Sequence, residues 1–274
     1  MNKTKNRLGT MAAAPHVVWT VMFIVAPLIF VIYYTFTNYD GAFTLENIFA
    51  LKDHVGTFML SISLSVIATF ICFLIGYPLA YTIAQSKESS QKIMIMLLML
   101  PMWTNLLIRT YSMMAIMDDG GFLNTILAKL SLGKVHLIGT KGAVIFGMVY
   151  DFLPYMVLPI YTTISKLDQN LLEAAEDLGC SRTRVLTKVV LPLSASGIVS
   201  GVTMVFVPSI STFYISQKLG GGTFELIGDT IERQFQNSST YNVGAAISLV
   251  MMVLVLISLA IMNKFAGEEG GDEK

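Results

Sequence analysis

An all-α, polytopic membrane protein is what this sequence predicts, and three observations carry the expectation. The 274 residues are 54% hydrophobic and only 13% charged, with a mean hydropathy of +0.66, well outside the soluble range. The apolar residues gather into six runs, each long enough to cross a hydrocarbon core of roughly 30 Å. The Lys and Arg residues are shared unequally between alternate connections, as the positive-inside rule requires of a threaded chain. The formal net charge is zero, so composition points to no nucleic-acid partner. Cys72 falls in an apolar run and Cys180 in a polar loop, which argues against a disulfide framework. His16, His54 and His136 are scattered without ligand spacing, and no metal site is indicated.

Taken in order, the chain opens with a polar, basic segment, 1–15, that holds Lys3, Lys5 and Arg7. His16–Thr37 follows as the first span. The cluster Ala12-Ala13-Ala14 precedes this apolar run, whereas a signal peptide places its small residues after it, so a retained helix is expected. Five more spans are predicted at Phe58–Ala84, Ile93–Met117, Ala143–Ser165, Ser194–Ile215 and Val243–Lys264. Residues 16–264 then form one six-helix membrane domain, and the acidic, glycine-rich tail 265–274 is expected to be disordered.

Six spans put both termini on one side. On that side fall Lys3, Lys5, Arg7, Lys87, Lys92, Lys166, Arg182, Arg184, Lys188, Lys264 and Lys274. Opposite them stand only Lys52, Lys129, Lys134, Lys141, Lys218 and Arg233, so the termini are expected in the cytoplasm. The outer connections are Asn38–Thr57, Asp118–Gly142 and Ser216–Asn242. The second holds a turn at Asp118–Gly121 and an amphipathic stretch, Leu123–Leu132. The third opens on Gly220–Gly222 and continues into a helix expected over Phe224–Phe235. Pro27, Pro78, Pro101, Pro154, Pro159 and Pro208 all lie within the spans, where neighbouring helices repair the bonding that proline frees. Gly197-x3-Gly201 is expected to let two helices approach closely.

The most charge-rich run is Asp168–Pro192. Leu171, Leu172, Ala175 and Leu178 recur at helical spacing, Gly179 supplies a stop, and Ser181 stands where a second helix would be capped. Val185, Leu186, Val189 and Val190 form that second helix's apolar stripe, ended by Leu191-Pro192. Two short amphipathic helices joined at a glycine are either a docking element or a loop lying on the membrane.

Two ionisable residues fall inside spans, where charge in hydrocarbon marks a functional-site hypothesis. At about 1.5 Å per residue, Arg109 lies roughly 24 Å beyond Ile93 and Asp151 roughly 12 Å past Ala143, an offset of about 6 Å in the outer half of the core. One reading is a structural Arg109–Asp151 pair that spares both charges an unpaired burial. The other places Asp151, with Tyr150 and Trp103 nearby, on a pathway that attracts a cation. No Walker A pattern is present, since Gly133-Lys134 lacks the upstream glycine and a following Ser or Thr. Any ATP hydrolysis must therefore come from another chain. No nucleophile–base constellation stands out, so an enzyme is not expected.

Glu173-Ala174-Ala175, Gly179, and Val189-Val190-Leu191-Pro192 resemble the E-A-A-x3-G-x9-I-x-L-P loop of MetI-like permeases of ABC importers, with Val189 in the place of the usual Ile. The resemblance implies that Glu173, Ala174, Ala175, Gly179, Leu191 and Pro192 couple to an ATPase. The stretch Pro101-Met102-Trp103-Thr104-Asn105-Leu106-Leu107-Ile108-Arg109-Thr110-Tyr111 is similar to the third span of the spermidine/putrescine permeases within that family. So are Val149-Tyr150, Leu153–Met156 and Pro159–Tyr161 for the fourth span, and Thr212–Ile215 with Gly220–Gly222 after the fifth. This implies a polyamine pathway, for which Trp103, Arg109, Tyr150, Asp151 and Tyr214 are the candidate residues. It also implies a second, PotC-like permease, two PotA-like ATPase subunits that bind the ATP and Mg, and a PotD-like binding protein received by the outer loops. No cofactor is expected on this chain. A permease for another solute (thiamine, an organic cation, iron or a phosphonate) and an ion-coupled secondary transporter stand as alternatives; the latter would show inverted repeats and helices unwound at the midplane, and neither stands out in the sequence.

Overall fold

The computed structural model describes residues 14–131 and 133–268. The segment 1–13 and the tail from 269 on lie outside them, and with them Lys3, Lys5, Arg7 and Lys274 of the charge count. The described residues are all-α, apart from an isolated antiparallel bridge between Thr37 and Phe43. They divide into two units: the chain up to Val55 with Thr230–Leu254, and Gly56–Asp229 with the chain from Val255 on.

In the first unit, α1 (Ala14–Thr35) is apolar along its whole length. A π turn at Val21–Val25 stands just ahead of Pro27, whose missing N–H and bulky ring disturb the regular i→i−4 ladder. The end of α1 is tied down by asparagines. Asn47 Nδ2 donates to the carbonyls of Thr35 (3.1 Å) and Thr37 (3.0 Å), and Asn242 Nδ2 donates to the Thr37 carbonyl at 2.5 Å. Tyr34 meets Tyr241 edge to face at 5.0 Å.

The second unit begins within α2 (Val55–Ala84), which carries Pro78 in its interior. It continues through α3 (Glu88–Met99), a 3₁₀ turn at Leu100–Trp103, α4 (Leu106–Met117), α5 (Phe122–Lys129) and α6 (Lys141–Ile164). Then come α7 (Gln169–Asp177), α8 (Arg182–Leu193), α9 (Ala195–Ser211) and α10 (Tyr214–Leu219). The helices α11 (Ile227–Gln236) and α12 (Tyr241–Glu268) run across the unit boundaries.

Among the described residues, four helices are individually long and apolar enough to cross a membrane: α1, α2 with its lead-in from Glu46, α6 and α12. The count reaches six when two bent pairs are each taken as one span. The expected straight span Ile93–Met117 is one of these. Its two halves meet at 93°, because Pro101 sits in a 3₁₀ turn and Asn105 starts a fresh helix, its side chain accepting from the Leu107 N–H at 2.8 Å. The expected span Ser194–Ile215 is helical only over Ala195–Ser211. Thr212 is extended and α10 begins anew at Tyr214. Before it, α8 bends into α9 by 71° at Ser194, whose hydroxyl lies 3.0 Å from the buried Tyr77 hydroxyl.

Core packing is densest between α6 and α9. Gly197 and Gly201 are both buried there. A Cβ at Gly197 would lie 2.9 Å from the Pro159 carbonyl oxygen, and one at Gly201 would lie 3.0 Å from that of Met156. Close helix approach is thus what these glycines permit. One apolar cluster joins Cys72, Ile83, Met156, Ile160, Val185 and Val190 of α2, α6 and α8. A second joins Leu64, Met113, Met148, Ile215 and Leu219 of α2, α4, α6 and α10.

Candidate functional site

The bend between α3 and α4 is organised around the Pro101 carbonyl. It accepts from the Thr104 N–H at 3.2 Å, from the Thr104 hydroxyl at 2.7 Å and from Arg109 Nη1 at 2.9 Å. Arg109 reaches it because α4 starts afresh at Asn105, so residue 109 is one turn into a helix pointing in a new direction. The same guanidinium places Nε 2.5 Å from Asp151 Oδ1 on α6. The side chains are 12% and 2% exposed, so this is a nearly dry ion pair. Among the described residues, neither carboxylate oxygen of Asp151 has a hydrogen-bond partner in addition to this contact, and Arg109 is the cation that matches the buried charge. The 6 Å offset expected from a straight span vanishes because the span is broken.

Beside the pair lies a half-open cavity of about 340 Å³, lined by Thr104, Arg109, Ser112, Met113, Phe146 and Tyr150 among others. Of the five pathway candidates, Arg109 and Tyr150 face this cavity. Asp151 is buried behind Arg109, and Trp103, 73% exposed, stands outside the lining. Tyr214 lies on α10 and meets Tyr111 of α4 edge to face at 6.3 Å. Tyr111 closes the Pro101–Tyr111 stretch but is not among the pathway candidates; its pairing depends on α10 folding back onto α4, which no local pattern encodes.

The coupling candidates occupy α7, α8 and the joint between them. Gly179 has φ +82°, the left-handed conformation that ends α7. The Cys180 N–H donates to the Ala175 carbonyl at 3.1 Å, the six-to-one bond of a Schellman cap. The spacing A-x3-G is therefore the spacing of a helix C-cap: Ala175 supplies the capped carbonyl and Gly179 the left-handed turn. Ala175 and Cys180 also pack against the core, as that cap favours. Ser181 starts α8 as expected, yet its side chain makes no capping bond. Leu191-Pro192 does not end the helix. A π turn at Leu186–Val190 absorbs the missing proline N–H and the helix runs on to Leu193.

The apolar stripes divide on folding. Leu172, Val185 and Val190 are buried, whereas Leu171, Leu191 and Leu193 are exposed and Leu178 is 86% exposed. Glu173, Ala174, Gly179 and Pro192 are exposed as well. One face of the joint is packed on the helical core, and the other is an exposed surface that combines carboxylate and leucine.

A chain with several membrane-crossing helices, two broken spans and a capped amphipathic loop anchored to its core is a polytopic transport subunit. Residues 10–266 match the family of binding-protein-dependent transport system inner membrane components, and the chain belongs to it. It is thus a multi-pass membrane permease subunit of an ABC importer, with ATP hydrolysis on separate chains. A substrate-binding protein and a partner permease complete such a system. Among its relatives is the spermidine/putrescine transport system permease protein PotB of Salmonella typhimurium, 36% identical over 253 residues, covering 89% of this chain and 88% of that protein. PotB of Escherichia coli K12 is 35% identical, covering 89% and 92%. Among solved structures, a bacterial ABC transporter for alginate import superposes with a TM-score of 0.78 over 97% of this chain and 96% of that one, at 16% identity. The MetNI methionine transporter in an inward-facing conformation gives 0.57 over 78% and 95%, at 13% identity. These two share the fold.

Proposed function

We propose that the chain is the PotB-like permease of a polyamine importer, working with a PotC-like permease, two PotA-like ATPase subunits that bind ATP and Mg, and a PotD-like binding protein. The observation that carries this reading is the 35–36% identity to spermidine/putrescine permeases along 89% of the chain. The cavity beside the ion pair supports it: Tyr150 and Phe146 offer aromatic faces to an alkylammonium, and Ser112 and Thr104 offer hydroxyl acceptors. Asp151 adds its charge to such a pathway when Arg109 swings away from it. The exposed face of α7 and α8, with Glu173, Ala174, Gly179 and Leu191, docks on the ATPase, while Ala175 holds the joint to the core. ATP-driven closure of the ATPases then moves the joint and, through Val185 and Val190, the helices it is packed against. In this orientation both termini are cytoplasmic.

Uptake of labelled spermidine by the reconstituted complex tests the substrate; uptake of another solute with none of spermidine would reject it. For the coupling role, Glu173→Ala combined with Gly179→Asp is expected to abolish ATP-dependent uptake and weaken ATPase co-purification. Transport that survives both changes with the ATPase still bound would remove the role from this loop.

A further inference from the structure

Outside the cavity, Lys218 of α10 stands over two aromatic rings at once. Its Nζ lies 5.2 Å from the centroid of Tyr111 and 5.8 Å from that of Tyr214. Both distances are within the roughly 6 Å at which a ring quadrupole attracts a cation. The rings meet at 81°, so they form two walls of a corner rather than a stack. Tyr111 beside the ammonium holds Lys218 above the ordinary lysine range. The helix that carries Tyr214 and Lys218 is pinned at several points. Ile215 and Leu219 bury α10 against Gly147, Ser216 Oγ is 2.9 Å from Asp229 Oδ1, and the Gly139 N–H donates to the Leu219 carbonyl at 2.8 Å. The corner is open, because Tyr111 is exposed and Lys218 is half-buried.

A lysine side chain is a primary ammonium on a four-carbon stem, which is one end of an aliphatic diamine. We propose that Tyr111 and Tyr214 form an amine-recognition corner in which the Lys218 ammonium acts as a tethered competitor, displaced by an alkylammonium group of the imported amine. The proposal rests on the polyamine reading and assigns it a recognition point. A tethered competitor makes the corner selective. A monoamine only matches Lys218, whereas a diamine or polyamine also brings a second cation to contact neighbouring acceptors.

The test is equilibrium binding of labelled spermidine to the assembled permease–ATPase complex in lipid discs, without the binding protein. Lys218→Met keeps the apolar stem and removes the competitor, so binding should tighten about two- to five-fold, the worth of an exposed cation–π contact. Lys218→Arg refills the corner and should restore the parent affinity. Leucine at both Tyr111 and Tyr214 should weaken binding. Unchanged or weaker binding by Lys218→Met would reduce Lys218 to a strut between α4 and α10 and overturn the proposal. A second readout does not require spermidine to be the cargo. With ¹³C-methylated lysines, the Lys218 methyl signal, identified by its absence in Lys218→Met, should be ring-shifted, and 1,4-diaminobutane should move it to the unshifted position. A signal that 1,4-diaminobutane leaves in place rejects the corner, even where spermidine uptake upholds the polyamine reading. Absent uptake with a displaced signal rejects the cargo and keeps the corner.

Discussion

Arg109 has two bonds to keep, one to the Pro101 carbonyl and one to Asp151, and both lie where water is scarce. Removing one member of a buried ion pair leaves the other charge unmatched, a loss of about 3–5 kcal/mol, whereas replacing both by apolar groups of similar volume is close to neutral. Arg109→Met alone is therefore expected to deplete assembled complex from the membrane. Arg109→Met with Asp151→Leu is expected to recover most of it, read as the yield of complex and its midpoint of thermal aggregation. Uptake separates structure from transport: a double variant that assembles but no longer moves polyamine gives the pair a transport role. Recovery of both assembly and uptake would make the pair a structural fastener only. The charged residues inside the spans were legible in the sequence as an anomaly. Their pairing was legible as one of two readings, and the ion pair bears it out; the direct contact depends on a bend set by Pro101 and Asn105 together, which spacing along a straight helix does not give.

At the scale of elements, prolines and glycines do most of the shaping. Both π turns, Val21–Val25 and Leu186–Val190, end two residues before a proline, so each lets a helix pass a residue that would otherwise end it. The sequence signals a stop at Pro192, and the helix continues because the turn before it widens. Gly197 and Gly201 behave as their spacing suggests. Gly197→Ala places a Cβ 2.9 Å from a backbone oxygen on α6 that has no rotamer to escape into. Overpacking of this kind costs about 1–3 kcal/mol. Gly56→Ala on α2, where nothing lies within 4 Å of the added Cβ, is the matched control. Membrane-inserted yield should fall for Gly197→Ala and hold for Gly56→Ala; equal yields would mean that α6 and α9 part more easily than their packing implies. The A-x3-G spacing likewise carried the Schellman cap in plain sight. Which leucines it left exposed depended on where α2 and α6 lay, and that is tertiary information.

For the whole molecule, the orientation expected from the positive-inside count can be read directly with a handle on each side of the membrane. Leu178, 86% exposed on the coupling joint, and Phe122, 68% exposed at the start of α5, provide them. The positive-inside count puts Leu178 in the cytoplasm and Phe122 outside. Cys72 is fully buried and Cys180 half-buried, so a Cys180→Ser background removes the more accessible native thiol. In that background, a membrane-impermeant maleimide added to intact cells is expected to label Phe122→Cys and to spare Leu178→Cys until the membrane is permeabilised. With the ATPase bound, Leu178→Cys should stay protected even in permeabilised membranes, because the same exposed leucine is part of the docking face. Labelling of Leu178→Cys from outside would invert the topology and place the joint where no ATPase can reach it. Labelling that bound ATPase does not slow would keep the topology but move the docking face away from α7.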